Sequence, residues 1–419
     1  MSVRFLAIFF AFASTIGSFA RAQEQNAAPP ERLTLPVLLR LVAERSPRLA
    51  VEQTAIDAAE ADRITAGALP NPTVSYGQFK PSGGANTLFD GSRQQQAAVD
   101  FPLLIAGQRG ARMEAAERGL LATRARVGLA GNELALRAAE LFVGLQAAQE
   151  KITVLQELRG DIEHAAAIVA GRLASGMASR YDLARMEVEL AGVTVRMDEA
   201  RADGANQSAG LAALIGAPGW RPTAVGTPVP AGLPTDAAVW RNSLISGNPQ
   251  INVARREEDA AQAALQRTEH ERWPVPVLSL GRTWTSDPFG SANFVGLSTE
   301  IMLLDTRRGP LDKAKAELQA AQRRREAIES EVSVELFRLL DSLAQRRAAL
   351  EQFERKVSTG MPALKQMAED AYRLGRGSIL ELIDAARSRL DARLTNIDLR
   401  AAIVQQELRI KALTGKLGE

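Results

Sequence analysis

Two hydrophobic periods alternate along the chain, and the whole alternation is written twice. In the first copy, residues recur at steps of three and four from Met113 through Leu120, Val127, Leu134, Leu141 and Ala148 to Leu155. The second copy keeps the phase from Leu311 through Leu318, Arg325, Val332, Leu339 and Arg346 to Phe353, each 198 positions later (311 less 113). Both copies place two consecutive four-residue steps at one site, Ala130 to Leu134 to Ala138 and Ile328 to Val332 to Leu336. A heptad's 3.5-residue period undershoots the 3.6 of a helix and drives left-handed supercoiling, which an inserted four relaxes. The pattern predicts two matched long helices, from about 107 to 173 and from about 306 to 374. About 67 residues at roughly 1.5 Å each make a rod on the order of 100 Å.

The flanks repeat as well. A first helix is predicted from Leu35 to Ala68, with Pro47 near its start, and a counterpart from Ala237 to Arg272 with Asn248-Pro249 in the same place. Pro70-Asn71-Pro72 and Trp273-Pro274-Val275-Pro276 end these helices, and the period then changes to two. Val74 and Tyr76, then Ala97, Val99, Phe101 and Leu103, alternate with polar or small residues in the first copy; Leu278, Leu280 and Trp284, then Val295, Leu297, Thr299, Ile301 and Leu303, do so in the second. These are two β-hairpins of about ten residues per strand, a length that suits a tilted membrane-spanning strand. Four strands cannot close a barrel, and open edges cannot sit in lipid, whereas three chains of four supply twelve. Each long helix turns back at a glycine-bearing segment, 174–180 or 375–379, into a returning helix, 182–214 or 381–413.

The N-terminus reads as a secretory signal over residues 1–22: Arg4, the apolar run Phe5 to Ile16, then Ala20-Arg21-Ala22 at the cleavage spacing. Repeats of 23–215 and 237–419 follow, joined by 216–236, a Pro- and Gly-rich stretch that is either a plain linker or a strap on the bundle. No later stretch has the roughly 20 apolar residues of a spanning helix. Cysteine is absent, which removes disulfides, thiolate metal sites, cysteine nucleophiles and a lipidated N-terminal cysteine. Acidic and basic residues nearly cancel, 49 against 51, so charge gives no case for a nucleic-acid partner.

Candidate chemistry is sparse. His164 and His270 stand on helical stretches without a second ligand at metal spacing, so no metal site is predicted. No phosphate loop or nucleophile motif occurs, so no catalytic residue and no cofactor are predicted. Gly107-Gln108-Arg109-Gly110 opens a helix and reads as a strand-to-helix joint, with anion binding as the other reading.

The order helix, proline break, hairpin, long helix, glycine turn and returning helix, present twice, resembles the TolC family of outer-membrane efflux proteins. Its most specific pieces are Ser46-Pro47 with Pro70-Asn71-Pro72, and the second turn from Tyr372 through Gly375, Gly377 and Glu381 to Ala385. The resemblance implies a mainly α chain with a membrane β-barrel portion, assembled as a homotrimer into a twelve-stranded barrel and an α-helical tunnel. It also implies contact with outer-membrane lipid, a periplasmic adaptor docked at the turns (Gly176, Gly375, Gly377) and an inner-membrane pump. Short loops and modest length look most like components of heavy-metal or cation efflux, although many members of that branch carry the lipidated cysteine that this chain lacks. The family's acidic ring at the tunnel's periplasmic entrance matches Glu381 and Asp384, which otherwise complement a helix N-terminus. Arg180, Tyr181, Asp182, Arg373 and Arg376 lie in or beside the turns and either hold the entrance by pairing or are solvated.

The expected function is a passive exit duct of tripartite efflux, not an enzyme. Two alternatives remain at the sequence level: the exit duct of a one-step (type I) protein secretion system, and, in another class, a periplasmic coiled-coil adaptor or scaffold.

Overall fold

A computed structural model describes residues 28–80, 93–285, 290–358, 361–374 and 376–417. The signal segment therefore lies outside the described residues, as does Gly375. In chain order the elements are β1 (Arg32–Leu33), α1 (Leu35–Arg45), α2 (Pro47–Gly67), β2 (Thr73–Phe79), β3 (Gln94–Pro102), α3 (Gln108–Ala174) and α4 (Arg180–Leu214). The second copy adds β4 (Thr223–Ala224), α5 (Ala237–Gly247), α6 (Pro249–Glu271), β5 (Val277–Thr285), β6 (Ser291–Ser298), α7 (Arg308–Phe353), α8 (Met361–Arg373) and α9 (Ile379–Leu413).

Three expectations need correction. The first helix of each copy is two helices, because a residue before proline is driven out of the α region. Ser46 (ψ 117°) and Asn248 (ψ 122°) are extended and buried, and Pro47 and Pro249 open the next helix. The second long helix is also interrupted: α7 ends at Phe353 and a π-helical turn spans Glu354–Ser358 before α8. Proline is poorly suited to the interior of a continuous helix, and Pro362 follows this break in the chain, while the matching stretch of α3 holds no proline. Finally, β6 stops at Ser298 rather than Leu303. Its partner β5 begins at Val277, opposite Ser298, and the residues before it, Pro274-Val275-Pro276, include two prolines without an N–H to extend the ladder.

The chain forms two compact units, one of Met1–Glu52, Leu129–Pro249 and Glu331–Glu419, the other of Gln53–Gly128 and Gln250–Ser330. The second unit holds an antiparallel sheet in the order β2-β3-β5-β6, both hairpins side by side. Its register explains the alternation. Val74, Val99, Leu280 and Val295 stand abreast on one face, with Phe101, Leu278 and Leu297 in the next apolar row. Thr73, Asp100, Ser279 and Gly296 stand abreast on the other, where the Ser279 hydroxyl donates to Asp100 at 2.5 Å. The apolar face is solvent-exposed in the single chain, Val74 at 75% and Val295 at 74%. Burying such surface is worth about 25 cal/mol per Å², so this face needs an apolar surrounding.

At the foot of the sheet, Gly107 (φ +76°) turns the chain into α3. The buried Gln108 side chain accepts from Ala106 N (2.9 Å), and His270 Nδ1 lies 2.7 Å from the Ala106 carbonyl. The Gly-Gln-Arg-Gly segment is thus the joint, and His270 is a packing residue of it.

In the first unit, a core of α3, α4 and α9 side chains includes Val143, Leu155, Met186, Val193, Leu390 and Leu408. The segment 216–236 is fastened to this unit. β4 pairs in parallel with β1, Trp220 Nε1 donates to the Pro30 carbonyl (3.1 Å), and Gln146 holds the Val225 carbonyl (2.9 Å). The buried Glu407 carboxylate accepts from the backbone N–H groups of Ala231 (2.6 Å), Gly232 (3.0 Å) and Leu233 (3.4 Å), with Arg347 alongside. These contacts strap the stretch onto the first unit.

Candidate functional site

The two helical turns collect most of the residues singled out from the sequence, and each is built by local capping. α3 ends in a Schellman-type turn: Met177 N donates to the Arg172 carbonyl (2.7 Å) and Gly176 N to Leu173 (3.0 Å). Gly176 takes φ +75°, which a side chain would strain. α8 closes similarly, with Arg376 N and Gly377 N both donating to the Ala371 carbonyl (2.9 and 3.0 Å).

Each returning helix then starts with a reciprocal capping box. The Ser179 hydroxyl accepts from Asp182 N (3.1 Å) while Asp182 accepts from Ser179 N (2.9 Å); Ser378 and Glu381 repeat this at 3.3 and 3.4 Å. Asp182 and Glu381 are therefore both engaged at their own helix termini. The space beside Gly377 is tight: a Cβ there would stand 3.0 Å from both Ala371 Cβ and Glu381 Oε2, so a larger residue needs those neighbours to shift. Asp384 is exposed one turn on, as are Arg180, Tyr181 (63%) and Arg376; the Arg373 side chain lies outside the described residues.

The turns are joined by residues that the sequence did not single out in this role. Arg172, in the last turn of α3, donates to the Tyr372 carbonyl (2.8 Å) and lies over the Tyr372 ring, 4.8 Å from its centroid. Burial pushes the Tyr372 hydroxyl above its ordinary range; Arg172 acts against this and Asp182 adds to it. Nine to ten residues past the caps, Arg387 grips Glu189 with two hydrogen bonds, one of 2.7 Å. The Glu189 hydrogen bond, then its charge, raises the Arg387 pKa, with smaller contributions from Asp384 and Asp391. The signal for this pair was present in the sequence: opposite charges stand at nearly the same height on two returning helices.

Above the turns α3 and α9 are bound by a ladder in antiparallel register. Asp161–Arg389 (3.2 Å), Glu157–Arg393, Lys151–Asp398 (2.6 Å), Glu150–Arg400 and Glu140–Arg409 (2.7 Å) succeed one another. Among the described residues, no group of three or more His, Cys, Asp or Glu is placed to hold a metal ion, and His164 is exposed. No helix of the described residues is long and apolar enough to cross a membrane.

The family model of the outer membrane efflux protein matches the chain twice, over residues 38–217 and 240–416. The chain belongs to the outer membrane efflux protein family. It is 23% identical over 430 residues to the cobalt-zinc-cadmium resistance protein CzcC of Cupriavidus metallidurans, covering 99% of this chain and 98% of the relative. It is 28% identical over 341 residues to the nickel-cobalt-cadmium resistance protein NccC of Alcaligenes xylosoxydans xylosoxydans, covering 78% of this chain and 70% of that protein. Among solved structures it resembles CusC (TM-score 0.74, 19% identity, 91% of this chain and 92% of that chain). It also resembles the outer-membrane channel OprN (TM-score 0.75, 20% identity, 94% and 92%). As a member of this family the protein is an efflux channel of the outer membrane.

Proposed function

We propose that the protein is the exit duct of a tripartite system that expels divalent metal cations, passive in itself and driven by an inner-membrane pump through a periplasmic adaptor. The observation that carries this is the end-to-end similarity to the cobalt-zinc-cadmium resistance protein. Three chains close the sheet into a twelve-stranded barrel, satisfying the outer edges of β2 and β6, and put the Val74–Val295 row against lipid. The repeats run over 23–215 and 237–419. The duct carries out no reaction: its work is to hold a tunnel.

In this reading the two turns form the periplasmic end. The adaptor meets it at Gly176, Gly375 and Gly377, and Arg180, Tyr181, Asp182, Arg373 and Arg376 line the rim. Arg172 and Tyr372 tie one turn to the other. Glu381 and Asp384, tripled by symmetry, favour cations at the constriction, since converging carboxylates attract them and repel anions. Glu381 also caps its helix, so Asp384 carries the larger part of the selectivity. Deleting the gene is expected to make cells sensitive to cobalt, zinc or cadmium, with the intact gene restoring resistance. Asp384→Ala is expected to lower the cation preference of single-channel conductance in bilayers. Unchanged metal tolerance would remove the metal-duct reading, and an unchanged reversal potential across a salt gradient would remove the gate.

A further inference from the structure

The apolar face of the sheet changes chemistry along its length. Beyond the row of Val74, Val99, Leu280 and Val295, the next residues abreast on the same face are Tyr76, Ala97, Arg282 and Asn293. One row further, Gln95 stands opposite Trp284. The alternation runs on past the strand ends, where Lys80 follows Gln78 by two residues and Arg93 precedes Gln95 by two, and both are exposed. Rows lie about 6.8 Å apart along an antiparallel strand. At a tilt of about 40° this is roughly 5 Å along the membrane normal, so valine gives way to arginine within one step.

Arg282 is the one basic residue within the four strands, and Asp100 is the one acid. Asp100 stands on the opposite face, beside the Ser279 hydroxyl. Among the described residues the Arg282 guanidinium donates to the Ser291 hydroxyl (2.8 Å) and lies 5.8 Å from the centroid of the Trp284 ring, with no carboxylate partner. The bond to Ser291 uses one nitrogen and leaves most of the donor fork for another acceptor. An arginine on the lipid face of a barrel is costly at the midplane and nearly free at the interface, where aromatic girdles also sit. Arg282 with Trp284 and Tyr76 therefore marks the level at which acyl chains end and headgroups begin.

We propose that Arg282, Arg93 and Lys80 bind the phosphate groups of the outer-leaflet glycolipid, lipopolysaccharide, with its acyl chains lying along the valine row. The inference rests on the duct reading, in which the helices at one end of the sheet lie in the periplasm and the hairpin ends face the exterior. A phosphate monoester matches a guanidinium by paired charged hydrogen bonds. The cations stand at two levels, Arg282 at one and Arg93 and Lys80 two rows beyond, roughly 10 Å apart along the normal. That separation suits a headgroup carrying more than one phosphate, whereas an ordinary phospholipid presents a single one. The site would hold the barrel at a fixed depth from its outer side.

The full-length channel, extracted in detergent, is titrated with fluorescent lipid A bearing both phosphates. Dephosphorylated lipid A, phosphatidylglycerol and inorganic phosphate serve as competitors. The parent is expected to bind the bisphosphorylated form at least tenfold more tightly than the dephosphorylated one. Combining Arg282→Gln, Arg93→Gln and Lys80→Gln is expected to remove that preference, with assembly by light scattering unchanged. Should the triple variant fail to assemble, Arg93→Gln with Lys80→Gln, both outside the strands, is expected to lower the preference severalfold. An assembled variant that keeps the parent's preference overturns the site. Phosphatidylglycerol or inorganic phosphate competing as well as unlabelled lipid A overturns the glycolipid assignment in favour of a general anion patch. The reading beneath has its own check, because the chain has no cysteine and accepts a single label. A fluorophore on Val295→Cys is expected to be quenched by phospholipids brominated on their acyl chains after reconstitution. Absence of quenching overturns the lipid-facing assignment of the sheet, while quenching together with unaltered lipid A binding by the variants overturns the phosphate site alone.

Discussion

The first copy of the repeat keeps one helix unbroken from Gln108 to Ala174, while the second interrupts the same element with a π turn at Glu354–Ser358. The first enters that helix through a glycine at φ +76°, and the second through Arg307 at φ +53°. The same fold is thus built once with locally suitable residues and once with residues that need outside support. Arg307 has that support: its backbone N–H donates to Asp305 (2.8 Å), and its guanidinium reaches the Glu271 carbonyl and the Glu300 carboxylate (3.3 Å). Duplication set a common geometry, and the copies then diverged in what stabilises it.

The largest expected difference between the copies lies at one matched position, Glu407 and Ser208 (407 less 199). Glu407→Ala strips a buried carboxylate from Arg347 and from three backbone N–H groups of the strap. Leaving one side of a buried charged network unpaired costs roughly 3–5 kcal/mol. Ser208→Ala is expected to change stability by no more than about 1 kcal/mol. Thermal unfolding in detergent followed by circular dichroism measures both. Comparable shifts for the two variants would mean that the strap is not held by Glu407.

A smaller contrast is expected at the helix entries. Gly107→Ala forces a side chain into a left-handed conformation with its Cβ 3.2 Å from the His270 ring, at a cost of about 1–2 kcal/mol. Arg307→Gly relieves similar backbone strain but gives up the Glu271 and Glu300 contacts, so its net change should stay within about 1 kcal/mol. If Arg307→Gly proves as damaging as Gly107→Ala, the guanidinium contacts matter more than the backbone and the two joints are less alike than their φ values suggest.

Sequence periodicity carried the order of elements, both hairpins and the outward and inward faces of the strands, because burial on one side leaves a period in the residues themselves. It missed the breaks at Ser46 and Asn248, where one residue's backbone overrides a continuous helical pattern, and the π turn that precedes Pro362 in the chain. The overlong β6 had the same origin: Thr299 to Leu303 alternate correctly, but a strand ends where its partner's ladder does, here at Val277 after two prolines. At the site, the capping serines follow from spacing and could be read directly, whereas Arg172 against Tyr372 depends on bringing together two turns 200 residues apart. The long ladder was legible in principle, since α3 offers mostly acids at heights where α9 offers arginines.

The smallest expected effect tests why matched charges behave differently in the two copies. Glu140 and Arg137 in α3 correspond to Arg338 and Glu335 in α7, with the signs reversed (338 less 140). Glu140 is held by Arg409 of another helix, whereas Arg338 turns back to Glu335 on its own helix (2.7 Å). The hydrogen bond from Arg338 lowers the Glu335 pKa, against a smaller opposing effect of burial. A carboxylate with a depressed folded-state pKa adds stability above its unfolded value of 4.5, and this is lost as the pH falls through the lower folded value. Since Glu335 is 40% exposed, solvent screening limits the pair to a few tenths of a kcal/mol. Glu335→Gln should therefore lower the melting temperature slightly at neutral pH and not at all once the pH is well below 4.5, while Glu140→Gln should cost more because it breaks a contact between helices. Equal losses from the two substitutions at neutral pH would mean that the interhelical rung is worth no more than a local surface pair, and that the ladder records the register of α3 and α9 without stabilising it.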